Sequence, residues 1–166
     1  MSHTVTITRT TAVSSGNSGN FLYINSGYVS SLPGLLKLAQ LLLGAACVGV
    51  MTYYYDHSYS KVLPKAELFF LLVAVAFLIG TFCLYISYLI SLSTATMISK
   101  TVYEVIYHGL AFILYLAAGI VLITEVNQNK RSSTYEPYLA ASIMGLVLAG
   151  LYLLSTVFAN RSYRSL

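Results

Sequence analysis

The sequence predicts an all-α fold: a four-pass transmembrane bundle of antiparallel helices. Three observations predict it. Of the 166 residues, 57% are hydrophobic and only 8% are charged. A soluble domain carries roughly 25% charged residues, so this chain has too little charge to cover a water-facing surface. Four apolar runs, at approximately 35–53, 68–89, 102–123 and 139–158, are each long enough to cross about 30 Å of hydrocarbon as a helix. The segments between them, "YYDHSYSKVLPKAE", "ISLSTATMIS" and "TEVNQNKRSSTYEP", are short, which makes neighbouring helices antiparallel. Strand-like alternation is missing, and backbone polar groups cannot be left unpaired in lipid, so the spans are helices.

The elements follow in chain order. The opening "MSHTVTITRTTAVSSGNSGN" is rich in Ser, Thr, Gly and Asn and has no apolar signal-peptide core. Residues 1–30 are therefore expected to form a flexible cytoplasmic tail, with the first apolar run acting as the targeting signal. Ser2 replaces the glycine that myristoylation needs, and there is no C-terminal prenylation box. One membrane domain is expected over 31–160, followed by a short cytoplasmic tail, 161–166. Pro33, Pro64 and Pro137 lie near the starts of the first, second and fourth spans, where a missing N–H costs nothing. The first span carries Lys37, Gln40 and the small pair Ala45 and Gly49; the second carries Ala76 and Gly80. In the fourth, Ala141, Gly145 and Ala149 form one small face over two turns. Apolar side chains gain nothing by meeting in lipid, so such faces build the bundle or bind another membrane protein.

The third span opens on "YEVIYHG", placing Glu104 and His108 four residues apart at the head of an apolar run. Such a pair either moves a proton or ion, or anchors and packs the helix. At 1.5 Å per residue, Glu104 lies about 3 Å inside the span and His108 about 9 Å. Glu104 is thus expected to reach the interface near Lys100, and His108 to stay neutral and share a hydrogen bond with it. Below them the stripe Ala111, Tyr115, Ala118 offers no further ionisable group. A conduit needs a continuous polar path.

Fifteen tyrosines against no tryptophan, with Tyr53, Tyr54, Tyr55 and Tyr59 around the first loop and Tyr135 and Tyr138 before the fourth span, read as an aromatic belt at the headgroups. The net charge is +4, but the basic residues are scattered singly or in one pair, marking membrane boundaries rather than a nucleic-acid groove. Arg9, Lys37, Lys100, Arg161 and Arg164 stand on the side of the termini, against Lys61, Lys65, Lys130 and Arg131 on the other. The rule of cytoplasmic positive charge then favours cytoplasmic termini.

Cys47 and Cys83, each inside an apolar run, read as small buried hydrophobes rather than a disulfide or zinc pair. There is no P-loop, no dinucleotide fingerprint, no zinc spacing among His3, His57 and His108, and no nucleophile–base pair. No catalytic residue, metal or cofactor is expected. The last four residues, Tyr163 to Leu166, match a tyrosine-x-x-bulky-hydrophobic pattern that resembles the sorting code read by clathrin adaptors. Recognition there is strand addition, with Tyr163 and Leu166 entering separate pockets.

The stretch "LPGLLKLAQLLLGAACVGV", with its leucine pair, Lys37 and Gln40, resembles the first span of MARVEL-domain proteins, especially the chemokine-like-factor group. "SKTVYEVIYHG" is similar to that group's third-span start. The likeness covers roughly residues 31–160. It implies an M-shaped four-helix topology with both termini cytoplasmic, in the plasma membrane or endosomal vesicles. It further implies work in vesicle trafficking, membrane apposition or lateral association with other integral membrane proteins, homo-oligomers included. Two function classes therefore stand: a non-enzymatic organiser of membranes and cargo, and a small proton- or ion-coupled transporter resting on Glu104 and His108.

Overall fold

The structure, a computed structural model, describes residues 26–56, 64–90, 102–128 and 134–164. A one-turn helix α1 (Ser26–Val29) precedes four long helices: α2 (Leu32–Asp56), α3 (Lys65–Ile90), α4 (Val102–Gln128) and α5 (Tyr135–Arg164). All four long helices are long and apolar enough to cross a membrane. They outrun the apolar stretches at most ends. At 1.5 Å per residue the 30 residues of α5 extend about 45 Å, beyond a hydrocarbon layer of about 30 Å. Its last turn accordingly carries Arg161 and Arg164, on the side of a helix C-terminus that favours cations.

The helix starts have identifiable causes. Ser31 caps α2: its side-chain oxygen accepts from the Gly34 N–H at 3.3 Å and its carbonyl from Leu35 N–H at 2.9 Å, while its hydroxyl donates to the Tyr28 carbonyl at 2.6 Å. Pro33 sits in the first turn behind that cap. The carbonyls of Pro64 and Thr134 accept the first helical bonds of α3 and α5, from Leu68 and Tyr138.

Each long helix packs on its sequence neighbours, and α5 closes the ring onto α2. The cross-helix pairs run in opposite directions along adjacent helices: Gln40 meets Ser155 whereas Cys47 meets Ala141. Adjacent helices are therefore antiparallel, and α2 and α4 run parallel on the diagonal. The most extensive contact joins α4 to α5. Gly119 lets it form, since a Cβ there would stand 2.9 Å from the Leu146 side chain and 3.5 Å from the Ser142 carbonyl. The half of the bundle nearer the first and third loops is filled by Met51, Phe70, Val73, Leu122 and Val126. Large apolar side chains such as Leu42, Leu72, Ile113 and Val147 point outward, as a lipid solvent requires.

Residues 26–30 depart from the expected flexible tail. Tyr28 stacks on Tyr88 of α3, with centroids 4.8 Å apart and planes at 17°, so this segment is held against the bundle by an aromatic contact. Residues 1–25 of that tail lie outside the described residues.

Candidate functional site

Polar side chains that hydropathy would not place in a membrane gather in one layer. It lies toward the bundle end that carries the N-terminus of α2 and the C-terminus of α5. On α2, Lys37 and Gln40 share one face, buried to 2% and 1% exposure; on α4, Glu104 and His108 do the same at 5% and 0%. The Lys37 ammonium donates to Glu104 Oε1 at 2.6 Å, crossing the diagonal of the bundle. Taking two charges out of water costs several kcal/mol per ion, which is offset only by good geometry and further partners. Those partners are present: the Tyr88 ring faces the ammonium with its centroid 4.8 Å away, and His108 Nε2 approaches the same carboxylate oxygen at 3.5 Å. At that distance the histidine contact is electrostatic more than a formed hydrogen bond.

Gln40 ties α2 to α5, its amide nitrogen donating to the Ser155 hydroxyl at 2.8 Å and the Leu151 carbonyl at 3.1 Å. Thr81 of α3 joins Tyr152 of α5 at 2.7 Å and Tyr107 of α4 at 3.0 Å. The Tyr107 hydroxyl also reaches the Phe77 carbonyl at 3.2 Å. Gly80 makes room for it, because a Cβ there would lie 2.5 Å from the Tyr107 hydroxyl oxygen. One layer thus links all four long helices by polar contacts.

The sequence-predicted residues divide as follows. Glu104 does not reach the interface: it turns inward to Lys37, because α2 and α4 start at the same end and present their charges at matching depth. Lys100, its expected neighbour, lies outside the described residues. Ala141, Gly145 and Ala149 are buried inside the bundle. A Cβ on Gly145 would collide with the Phe70 ring, so this glycine accommodates an aromatic side chain rather than a neighbouring backbone. Ala45, Gly49 and Ala76 are exposed on the outside, Gly80 is half-buried, and nothing lies within 4 Å of a Cβ built on Gly49. Cys47 is buried, whereas Cys83 is exposed; the expectation that both are buried is corrected for Cys83, since an apolar run in lipid has an outer face as well as an inner one.

Tyr138, expected in the headgroup belt, is 4% exposed and points into the bundle. Tyr53 does face outward; Tyr59 lies outside the described residues. Tyr163 is exposed but belongs to α5, so an extended peptide at this position requires the last turn to unwind; Leu166 lies outside the described residues. Sequence reasoning missed Thr81, Tyr107, Tyr152 and Ser155, whose signal was a hydroxyl inside an apolar span.

The layer does not continue into a path. Beyond Tyr115 the described interior is mainly apolar: Ser142 donates to its own helix at the Leu139 carbonyl, and Tyr138, buried toward the far end, pairs locally with Glu67. Glu104 and His108 therefore give the transporter reading no polar route among the described residues. Nor do the described residues gather three His, Cys, Asp or Glu side chains about a metal.

Comparison with known proteins agrees with this architecture. The chain is 28% identical over 167 residues to human CKLF-like MARVEL transmembrane domain-containing protein 8, covering 99% of this chain and 93% of that one. MARVEL domain-containing protein 1 of Xenopus laevis is 25% identical over 172 residues, 99% of this chain and 95% of the relative; that of Danio rerio is 27% identical over 142 residues, 80% and 85%. No solved structure matches. The MARVEL family, described as a membrane-associating domain, matches residues 28–158. With that match spanning most of a four-helix membrane bundle, the chain belongs to the MARVEL-domain family.

Proposed function

We propose that this protein is a non-enzymatic organiser of membranes and vesicle cargo, acting through lateral helix–helix association with other integral membrane proteins or with itself. The observation that carries the reading is the division of its surfaces. The polar groups of the described interior bond mainly to one another, while the small residues Ala45 and Gly49 face outward with open space before Gly49. In lipid, a small outward face is where a second helix gains close backbone approach. Both termini are placed in the cytosol, at the plasma membrane or endosomal vesicles. The C-terminal Tyr163-to-Leu166 signal is offered to clathrin adaptors when the end of α5 unwinds.

The test is Gly49→Leu, since a larger side chain at this position meets nothing within the bundle. Abundance and membrane insertion should match the parent, while the membrane proteins recovered with it in mild detergent, or its own tagged copies, should fall several-fold. Unchanged recovery removes this face from the proposal. A pH gradient dissipated by the reconstituted protein and preserved by Glu104→Gln would replace the organiser reading with transport.

A further inference from the structure

Among the buried polar atoms with no hydrogen-bond partner within the protein are Gln40 Oε1, both ring nitrogens of His108 and the Tyr115 hydroxyl; of the two nitrogens, Nε2 faces Glu104 at 3.5 Å. Their side chains are fully enclosed, at 1%, 0% and 0% exposure. Buried polar atoms of this kind are ordinarily bonded, to protein or to ordered water.

The three side chains lie about Gly44 and Tyr152. The Lys37–Glu104 bond fixes the register of the parallel diagonal helices at an offset of 67 residues, which sets Gln40 level with Tyr107, one residue before His108, and Gly44 level with Ala111. Helical side chains lean toward the N-terminus. Tyr115 therefore carries its hydroxyl back toward Gly44, where a built Cβ would lie 3.9 Å from it. Gln40 and Gly44 are about 6 Å apart along α2. Tyr152 is common to all three groups: His108 and Tyr115 lie against its ring, at 5.8 Å and 5.5 Å between centroids, and the Gln40 amide bonds its chain neighbour Leu151. Gly44 and Ala111 are the small buried residues at this level, and the Leu78 side chain of α3 stands 3.5 Å from a Cβ built on Gly44.

We propose that this enclosure is a binding site for a structural water held by Gln40 Oε1, His108 Nδ1 and the Tyr115 hydroxyl. The donors and acceptors balance. Because the Gln40 nitrogen donates to a carbonyl, which can only accept, the amide oxygen is the end turned inward, and it too can only accept. In the proposed site His108 adopts the tautomer whose Nε2–H points at the nearby Glu104 carboxylate, 3.5 Å away, which makes Nδ1 a lone-pair acceptor. The two water protons meet these two acceptors, and the water oxygen accepts from Tyr115. Three bonds is the usual complement of a buried water. A cation would face Lys37 one turn away and an anion would face Glu104; neutral water meets neither penalty. The bound water completes the layer, joining the Lys37–Glu104–His108 side to the Gln40–Ser155 side.

The test uses the full-length protein in detergent micelles, with nitrogen-15-labelled histidine. His108 should show an unprotonated, hydrogen-bonded Nδ1 and a magnetisation-transfer contact to water. Tyr115→Phe should shift that Nδ1 resonance and lower the thermal midpoint by about 2–4 °C, the shift expected for losing one buried hydrogen bond in a chain of this size. A raised or unchanged midpoint would mean a hydroxyl with nothing to bond, and overturns the site. A protonated Nδ1, or no water contact in the unaltered protein, overturns it without depending on whether the variant folds.

Discussion

Lys37 and Glu104 each sit where hydropathy asks for leucine, and what keeps them there is the partner. Removing one charge strands the other inside the bundle, at a cost of about 3–5 kcal/mol. Lys37→Ala or Glu104→Ala should therefore reduce abundance sharply and lower the denaturant midpoint in micelles. The double variant Lys37→Met with Glu104→Leu replaces the pair by apolar groups of similar size and should recover close to parental stability or exceed it. A double variant as unstable as the singles would show that the pair is needed for more than mutual neutralisation. Thr81→Val isolates the hydroxyl cluster. It leaves the Tyr107 and Tyr152 hydroxyls short of a partner, at about 1–3 kcal/mol for a buried group, and urea titration with far-UV circular dichroism reads the loss.

At the scale of helices, two glycines with similar sequence surroundings occupy opposite environments. Gly145 lies beneath the Phe70 ring, where any side chain collides; overpacking of this kind costs about 1–3 kcal/mol or more. Gly145→Leu should thus lower abundance and thermal midpoint together, in contrast to Gly49→Leu. Pairing Gly145→Leu with Phe70→Ala should restore part of the loss, because the ring that collides is gone. Absence of any rescue would place the cause in the α5 backbone instead. Gly119 is the helix-packing glycine that motif spacing does not announce, and it lies in the most extensive helix contact of the bundle, between α4 and α5.

For the whole molecule, the even number of spans puts both ends of the chain on one face of the membrane, and the polar layer lies toward that face. Tags at both termini should be digested by protease added outside sealed microsomes, as cytosolic termini require; protected tags would reverse the orientation. On cytosolic termini the sequon Asn160-Arg161-Ser162 would face the cytosol and carry no glycan. The proposed sorting role of Tyr163 depends on the same orientation. Tyr163→Ala should raise the surface level and slow uptake, read by surface biotinylation; equal uptake would reduce Tyr163 to an anchor at the end of α5.

Four spans, their antiparallel order and the membrane as solvent were legible in the sequence because each depends on local composition: twenty apolar residues can do little else in lipid, whatever they pack against. Lys37, Gln40, Glu104 and His108 could be picked out for the same reason, as polar choices in apolar runs. Their partners could not. Glu104 pairs with Lys37 rather than with the headgroups because α2 and α4 start at one end and face each other diagonally, a relation set by the closing of the ring and not by spacing along either helix. The same holds for the small residues. Ala45-x-x-x-Gly49 and Ala141-x-x-x-Gly145 look alike in sequence, yet one faces outward and the other lies under Phe70. In lipid the inner and outer faces of a helix are equally apolar, so hydrophobicity carries no signal for which face is inside; only the rotation of each helix in the assembled bundle decides it.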